Sequence, residues 1–116
     1  MNPDGIWNYM EDFGYGKSFG TVEIKSANGI ISGIFQLREE SEGEAPFEVE
    51  LKARGKIEDN HLKLQATDYK ITKGDPEMDY QLDSWDGQII NDQLIVGEAE
   101  DAQGVLGIFT FKREKA

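Results

Sequence analysis

The stretch TVEIKSANGIISGIFQLR, Thr21 to Arg38, limits the possible folds more than any other part of the chain. Two runs rich in β-branched and aromatic residues flank Asn28-Gly29. Asn-Gly accepts positive φ at both central positions of a two-residue turn, and the twist of that turn matches the strands it joins. Looser versions follow at near-equal intervals, ARGKIEDNHLKLQAT around Asp59-Asn60 and WDGQIINDQLIVGEA around Asn91-Asp92. A strand-turn-strand unit laid down repeatedly is the expected organisation.

The remaining segments extend this pattern. Ile6 to Glu11 reads as the first strand, with Trp7 and Tyr9 on one face, and the glycine-bearing DFGYGK, Asp12 to Lys17, as a loop. Ser18 to Ser26 places Val22 and Ile24 together. Ile30 to Arg38 is apolar on both faces, with Ile31, Phe35 and Leu37 set against Ile30 and Ile34. EESEGEAP, Glu39 to Pro46, is a charged loop. Phe47 to Glu58 alternates cleanly, with Phe47, Val49, Leu51 and Ala53 inward and charged residues between them. Such period-two alternation marks a strand with one wet face, and Gly55 lets a long strand bend. His61 to Ile71 begins with Leu62, Leu64 and Ala66 inward, then changes phase to Tyr69 and Ile71, as a bulge near Thr67-Asp68 would cause. TKGDP breaks the chain at Thr72 to Pro76. Glu77 to Ile90 with a kink at Gly87, Gln93 to Glu100, and Val105 to Arg113 complete the set, with a turn at Asp101 to Gly104.

No segment has helical periodicity. Sequential strands with short connections predict an all-β, eight-stranded antiparallel up-and-down barrel, a meander closed on itself so that neither edge is exposed. A two-sheet sandwich is the alternative. The whole chain, 1–116, is expected to form this single domain. Connections in a meander alternate between ends, so the tight turns gather at one end and the longer loops at the other. The loop end is then a mouth. A barrel of this size either fills with side chains or holds one small ligand.

A formal charge of −11 argues against nucleic-acid or anionic-membrane partners, which need a cationic face. The absence of cysteine removes disulfide and thiolate chemistry. The opening MNPDGIWNYMEDFGYG has neither a basic nor an apolar leader segment, so a cytoplasmic location is expected, or a secreted one if a leader has been removed.

GIW at Gly5–Trp7, the glycine-flanked Gly20–Ile24 and NGIISGIF at Asn28–Phe35 resemble the opening of avidin-like proteins. SWDGQ, Ser84–Gln88, is a further echo. The wider resemblance is to calycin-type barrels, including lipocalins and fatty-acid-binding proteins, in which a G-x-W on the first strand plugs the barrel base. It implies a calycin-like, lipocalin-like barrel and a small-molecule ligand. The biotin site is not retained: the tyrosine position of the third-strand motif is Phe35, the polar position beyond it is Leu37, and only Trp85 remains besides Trp7.

Trp7, Tyr9, Phe35, Tyr80 and Trp85 are the aromatics expected to line the interior. Aromatic residues on strands are core before they are binding platform, although a small barrel can use one residue both ways. Glu98 shares a face with Leu94 and Val96. Should that face point inward, Glu98 is a buried anchor or acid; should the strand twist outward, it is wet. The single histidine, His61, follows a tight turn out of phase with Leu62 and reads as a solvated turn residue. The alternating Asp75, Glu77 and Asp79 read as a solvated face rather than a metal site. No metal and no cofactor are expected. The mouth loops are acidic, which favours neutral or cationic ligands over anions.

The expected function is binding of a small, partly apolar molecule without catalysis. A cyclase or isomerase using Glu98, Tyr9 and Tyr80 is the alternative, and an interaction module built on Phe13 and Tyr15 is a third reading. Ile95, Leu106 and Ile108 are expected to form an outward apolar patch across the last two strands, and therefore a homodimer interface.

Overall fold

The computed structural model describes residues 2–114. They form β1 (Gly5–Asp12), β2 (Gly16–Ala27), β3 (Ile30–Ser41), β4 (Phe47–Glu58), β5 (His61–Lys73), β6 (Asp83–Asn91), β7 (Leu94–Asp101) and β8 (Leu106–Arg113). No helix occurs among the described residues. Each strand pairs antiparallel with the next, and β1 pairs with β8, so the sheet closes into an up-and-down barrel. The β2–β3, β4–β5 and β6–β7 turns lie at one end, and loops 13–15, 42–46, 74–82 and 102–105 at the other.

Turn chemistry accounts for the first two hairpins. Asn28 and Gly29 have φ of 56° and 78°, and Asp59 and Asn60 have 52° and 61°. Both central residues are left-handed, as a hairpin turn of matching twist requires. The third turn differs from expectation. It falls at Asp92-Gln93, and the Gln93 N–H donates to Asn91 Oδ1 at 2.8 Å. Ile89 pairs with Ile95 and Asn91 with Leu94, leaving Ile90 as an extra residue. The irregularity of β6 therefore sits at Ile90, not at Gly87.

The expected bulge in β5 is present. Lys52 faces Asp68 while Ala53 faces Ala66, so Thr67 has no opposite residue. That one residue moves Tyr69 and Ile71 onto the inward phase. Gly55 permits close approach, because a Cβ there would overlap the carbonyl oxygen of Lys63 on β5.

Two strand readings are corrected. β6 begins at Asp83, not Glu77. Asp75 holds the preceding residues in a turn, accepting from Glu77 N–H at 2.9 Å and Met78 N–H at 3.1 Å. The inward phase of β7 is Ile95, Gly97 and Ala99, not Leu94, Val96 and Glu98. Ala99 lies opposite Trp85 and Gly97 opposite Gly87, where a Cβ would stand 2.9 Å from the Phe109 ring. Gly87 on β6 leaves the space that the Phe109 ring occupies, and Gly97 on β7 lets the two backbones approach, since a Cβ there would overlap the Asp86 carbonyl oxygen. Ile95 is consequently in the core, fully buried, and does not belong to an outward patch with Leu106 and Ile108.

Trp7 sits at the tight-turn end. Its Nε1–H donates to Pro3 O at 2.9 Å, and the Arg113 guanidinium stacks 4.1 Å from its ring. Arg113 in turn donates to the carbonyls of Asn2, Asp4 and Asp92. The chain entering β1 is thereby stitched across the base to the end of β8.

Candidate functional site

The bore is filled by side chains. Tyr9, Phe35, Trp85, Phe109 and Phe111 pack ring against ring: Phe35 stacks on Trp85 at 4.4 Å, and Tyr9 meets Phe35 at 5.4 Å and Phe111 at 5.6 Å. These aromatics are the middle of a continuous apolar core that also holds Val22, Leu51 and Leu64. Trp7, Tyr9, Phe35 and Trp85 are therefore core residues. Glu98 is exposed on the outer face, in keeping with the phase of β7. Of the six residues expected to bind a ligand, Tyr80 is the one that reaches the mouth.

The polar site lies at the loop end, where the inward phase of each strand runs past the last apolar residue. On β1 the phase Trp7, Tyr9 continues to Glu11; on β3 Phe35, Leu37 continues to Glu39. Ser18 ends the phase of Val22 and Ile24 on β2, Asp83 that of Trp85 on β6, and Asp101 that of Ala99 on β7. With Phe13, Tyr15, Tyr80 and Val105 these residues line a small cup of about 30 Å³, room for a water or two. Gly107 on β8 completes it by absence: a Cβ there would overlap the Glu11 carboxylate.

Hydrogen bonds tie the cup to the core beneath it. Trp85 Nε1–H donates to the Tyr9 hydroxyl at 2.8 Å, and that hydroxyl donates to Glu11 Oε1 at 2.7 Å. The Tyr80 hydroxyl donates to Asp83 Oδ2 at 2.8 Å. Asp101 Oδ1 accepts from the backbone N–H groups of Gln103 and Val105, shaping the β7–β8 turn. Two buried polar oxygens have no hydrogen-bond partner among the described residues: Ser18 Oγ and Glu39 Oε2.

Crowding carboxyls away from water raises their pKa values, since burial and like charge both penalise the ionised form. Burial, then the charges of Glu11 and Asp101, pushes Glu39 up to about 7. Burial and the Glu11 charge push Asp83 up to about 8, against the opposing Tyr80 hydrogen bond. Glu11 is raised chiefly by burial. Tyr80 is pushed well above its ordinary value by burial and the neighbouring Asp83. Near neutral pH the cup therefore holds protons that ordinary carboxylates would have released.

Other candidates are weaker. A concavity of about 800 Å³ is an open groove on the outside of the barrel, running from Ile30 on β3 to Leu106 on β8, where Arg54, Lys56 and Lys63 mix with Asp86, Glu98 and Glu100. Its charged groups keep their access to solvent. His61 pairs with Asp86 across the β5–β6 ladder. No group of three His, Asp or Glu side chains is placed to hold a metal ion among the described residues. Phe13 and Tyr15 meet edge to face at 5.0 Å and form the rim of the cup.

No protein-family model and no curated protein matches the sequence. Among solved structures, the chain is similar to a redesigned β-barrel, mFAP1, bound to DFHBI, at 12% identity and a TM-score of 0.67, covering 95% of this chain and 94% of that one. It is also similar to a de novo designed fluorescence-activating β-barrel, at 15% identity and a TM-score of 0.62, covering 96% and 93%. At these identities the likeness is one of fold, and it agrees with the closed eight-stranded barrel.

Replacing Tyr9 by Phe should leave the buried Trp85 N–H and one Glu11 oxygen without their partner. The expected loss is about 1–3 kcal/mol of stability, read from urea unfolding followed by tryptophan fluorescence. An unchanged midpoint would mean that the Trp85–Tyr9–Glu11 chain does not join core and cup.

Proposed function

We propose that this protein binds a small neutral or cationic, partly apolar molecule at the loop-end cup and performs no catalysis there. The observation that carries the reading is a pair of buried polar oxygens without a partner among the described residues, Ser18 Oγ and Glu39 Oε2, in a cup open to the mouth. Unsatisfied buried polar atoms cost stability unless something that enters the cup pairs with them. The acidic lining disfavours anions, and the Phe13–Tyr15 rim offers apolar area. Support by analogy comes from a barrel of similar architecture that binds DFHBI. In this chain the aromatic bore leaves the cup, not the barrel centre, as the place for a ligand. The alternative of a cyclase or isomerase loses its acid, because Glu98 is on the outer face.

A screen of neutral, cationic and anionic fragments by amide NMR tests the site. Binders should move the amides of Glu11, Ser18, Glu39 and Asp83 and leave Val22 and Leu51 in place, and anions should not bind. Shifts centred on Phe35 and Trp85, or equal binding of anions, would overturn the reading.

A homodimer forms part of the same reading, on a revised face. Leu106 and Ile108 are 57% and 71% exposed, and Met10 on the adjoining β1 is 49% exposed. These side chains share the outer surface of β8 and β1, and clustered apolar residues on a surface favour association. Light scattering at micromolar concentration should give the dimer mass for the wild type and the monomer mass for Ile108→Lys. A monomeric wild type would refute the interface.

A further inference from the structure

The reading of the cup as a ligand site leaves the class of ligand open, and the donor and acceptor balance of the cup narrows it. Glu11 and Asp83 each have one oxygen engaged, by the hydroxyls of Tyr9 and Tyr80. Glu39 Oε2 and Ser18 Oγ have no partner among the described residues, and Ser18 is only 3% exposed. With its carboxyls ionised the cup is thus rich in acceptors, and its remaining side-chain donors are hydroxyls. A primary ammonium carries three N–H donors and no acceptor, the complement of this set. The volume of about 30 Å³ admits a head group the size of water, and a quaternary ammonium is both larger and without N–H donors. No three carboxylate or imidazole side chains among the described residues converge to hold a metal ion. Phe13, Tyr15 and Tyr80 around the cup present aromatic rings, which attract cations.

We propose that the cup receives the primary ammonium group of an organic amine, with Glu39, Ser18, Glu11 and Asp83 as its acceptors and the amine's carbon chain leaving past Phe13 and Tyr15. The proposal rests on the ligand reading above and specifies it.

Binding should depend on pH. The titratable groups facing the ammonium are Glu11 from β1, Tyr15 from the β1–β2 loop, Glu39 from β3, Tyr80 from the β5–β6 loop, Asp83 from β6 and Asp101 from β7, with Glu44 adding its field from the β3–β4 loop. β8 and the turn before it contribute the uncharged Gly107 and Val105. Deprotonation of Glu39 and Asp83 between about pH 6 and 8.5 strengthens attraction for a cation. An alkylamine, like a Lys side chain, stays protonated below about pH 10. Affinity for the ammonium therefore rises across that interval, and its binding at neutral pH expels protons.

The test is an amide NMR titration of the full chain with butylammonium chloride, tetramethylammonium chloride, sodium chloride at matched ionic strength, and neutral butyramide. Butylammonium should give saturable shifts at Glu11, Ser18, Glu39 and Asp83, stronger at pH 8.5 than at pH 6, and the other two salts should not. Glu39→Gln should weaken it about tenfold. Ser18→Ala, which keeps every charge, should weaken it several-fold and guards against a folding defect in the first variant. Equal shifts from tetramethylammonium or sodium would overturn the proposal in favour of diffuse charge attraction. Saturable shifts at the cup from butyramide but not butylammonium would overturn the ammonium class and leave the ligand site standing. No saturable shift from any of these compounds would overturn both.

Discussion

The ladder between β1 and β8, in which Tyr9 faces Phe111 and Glu11 faces Phe109, closes the barrel. Every inward side chain must then share one bore. The phase of eight strands converges there, and Tyr9, Phe35, Trp85, Phe109 and Phe111 fill it. Closure also removes the free edges that would invite pairing with another chain. The same alternation that builds the core decides what happens at its limits. At the tight-turn end it finishes on Trp7, capped by Pro3 and Arg113. At the loop end it runs on into Glu11, Glu39, Asp83 and Asp101, and carboxyl groups meet where the apolar layer stops.

These carboxyls are costly. Ionised groups lose solvation as they are buried, and here they also repel one another. A chain selected for stability alone would place neutral polar groups at these ends. Departures of this kind, where local choices oppose the folded state, are expected where a site does something other than hold the fold. The Trp85–Tyr9–Glu11 chain gives the cup a rigid floor, since the hydroxyl between them is locked by the packed rings around it.

Much of this architecture is legible in the sequence because it follows from local rules. Asn28-Gly29 and Asp59-Asn60 supply the left-handed residues their turns require. The phase break after Ala66 marks the Thr67 bulge. The strict alternation of Phe47 to Ala53 gives the inward face of β4. What eludes local reading depends on partners. Leu94 and Val96 outrank Gly97 and Ala99 in apolarity, but Gly97 faces Gly87 so closely that a Cβ would overlap the β6 backbone, and Ala99 lies opposite the bulky Trp85. The Glu77–Leu82 segment alternates like a strand, yet Asp75 turns it and β6 begins only at Asp83. The cup had a signal in the strand phase, hidden at Glu39 because the charged run EESEGEAP reads as a loop although β3 continues to Ser41. Glu11 and Glu39 continue the inward phases of Trp7, Tyr9 and of Phe35, Leu37 by one more step. Only closure brings those steps together.

The central claim is that the cup's carboxyls are held at the expense of folding stability, and pH reveals it most directly. The folded state keeps the Asp83 proton up to about pH 8, whereas the unfolded chain releases it near the ordinary value of 3.8. The folded state therefore binds more protons in between, and stability must fall as pH rises through that interval, levelling off above it. Asp83→Asn removes the Asp83 share of this dependence, because the amide is neutral at every pH, and leaves the share that Glu39 and Glu11 contribute. Urea unfolding of both proteins from pH 5 to pH 9 decides the matter. The account predicts that the variant gains on the wild type as pH rises and is clearly the more stable at pH 9. A difference between the two that stays constant with pH, or one that shifts toward the wild type, would contradict it.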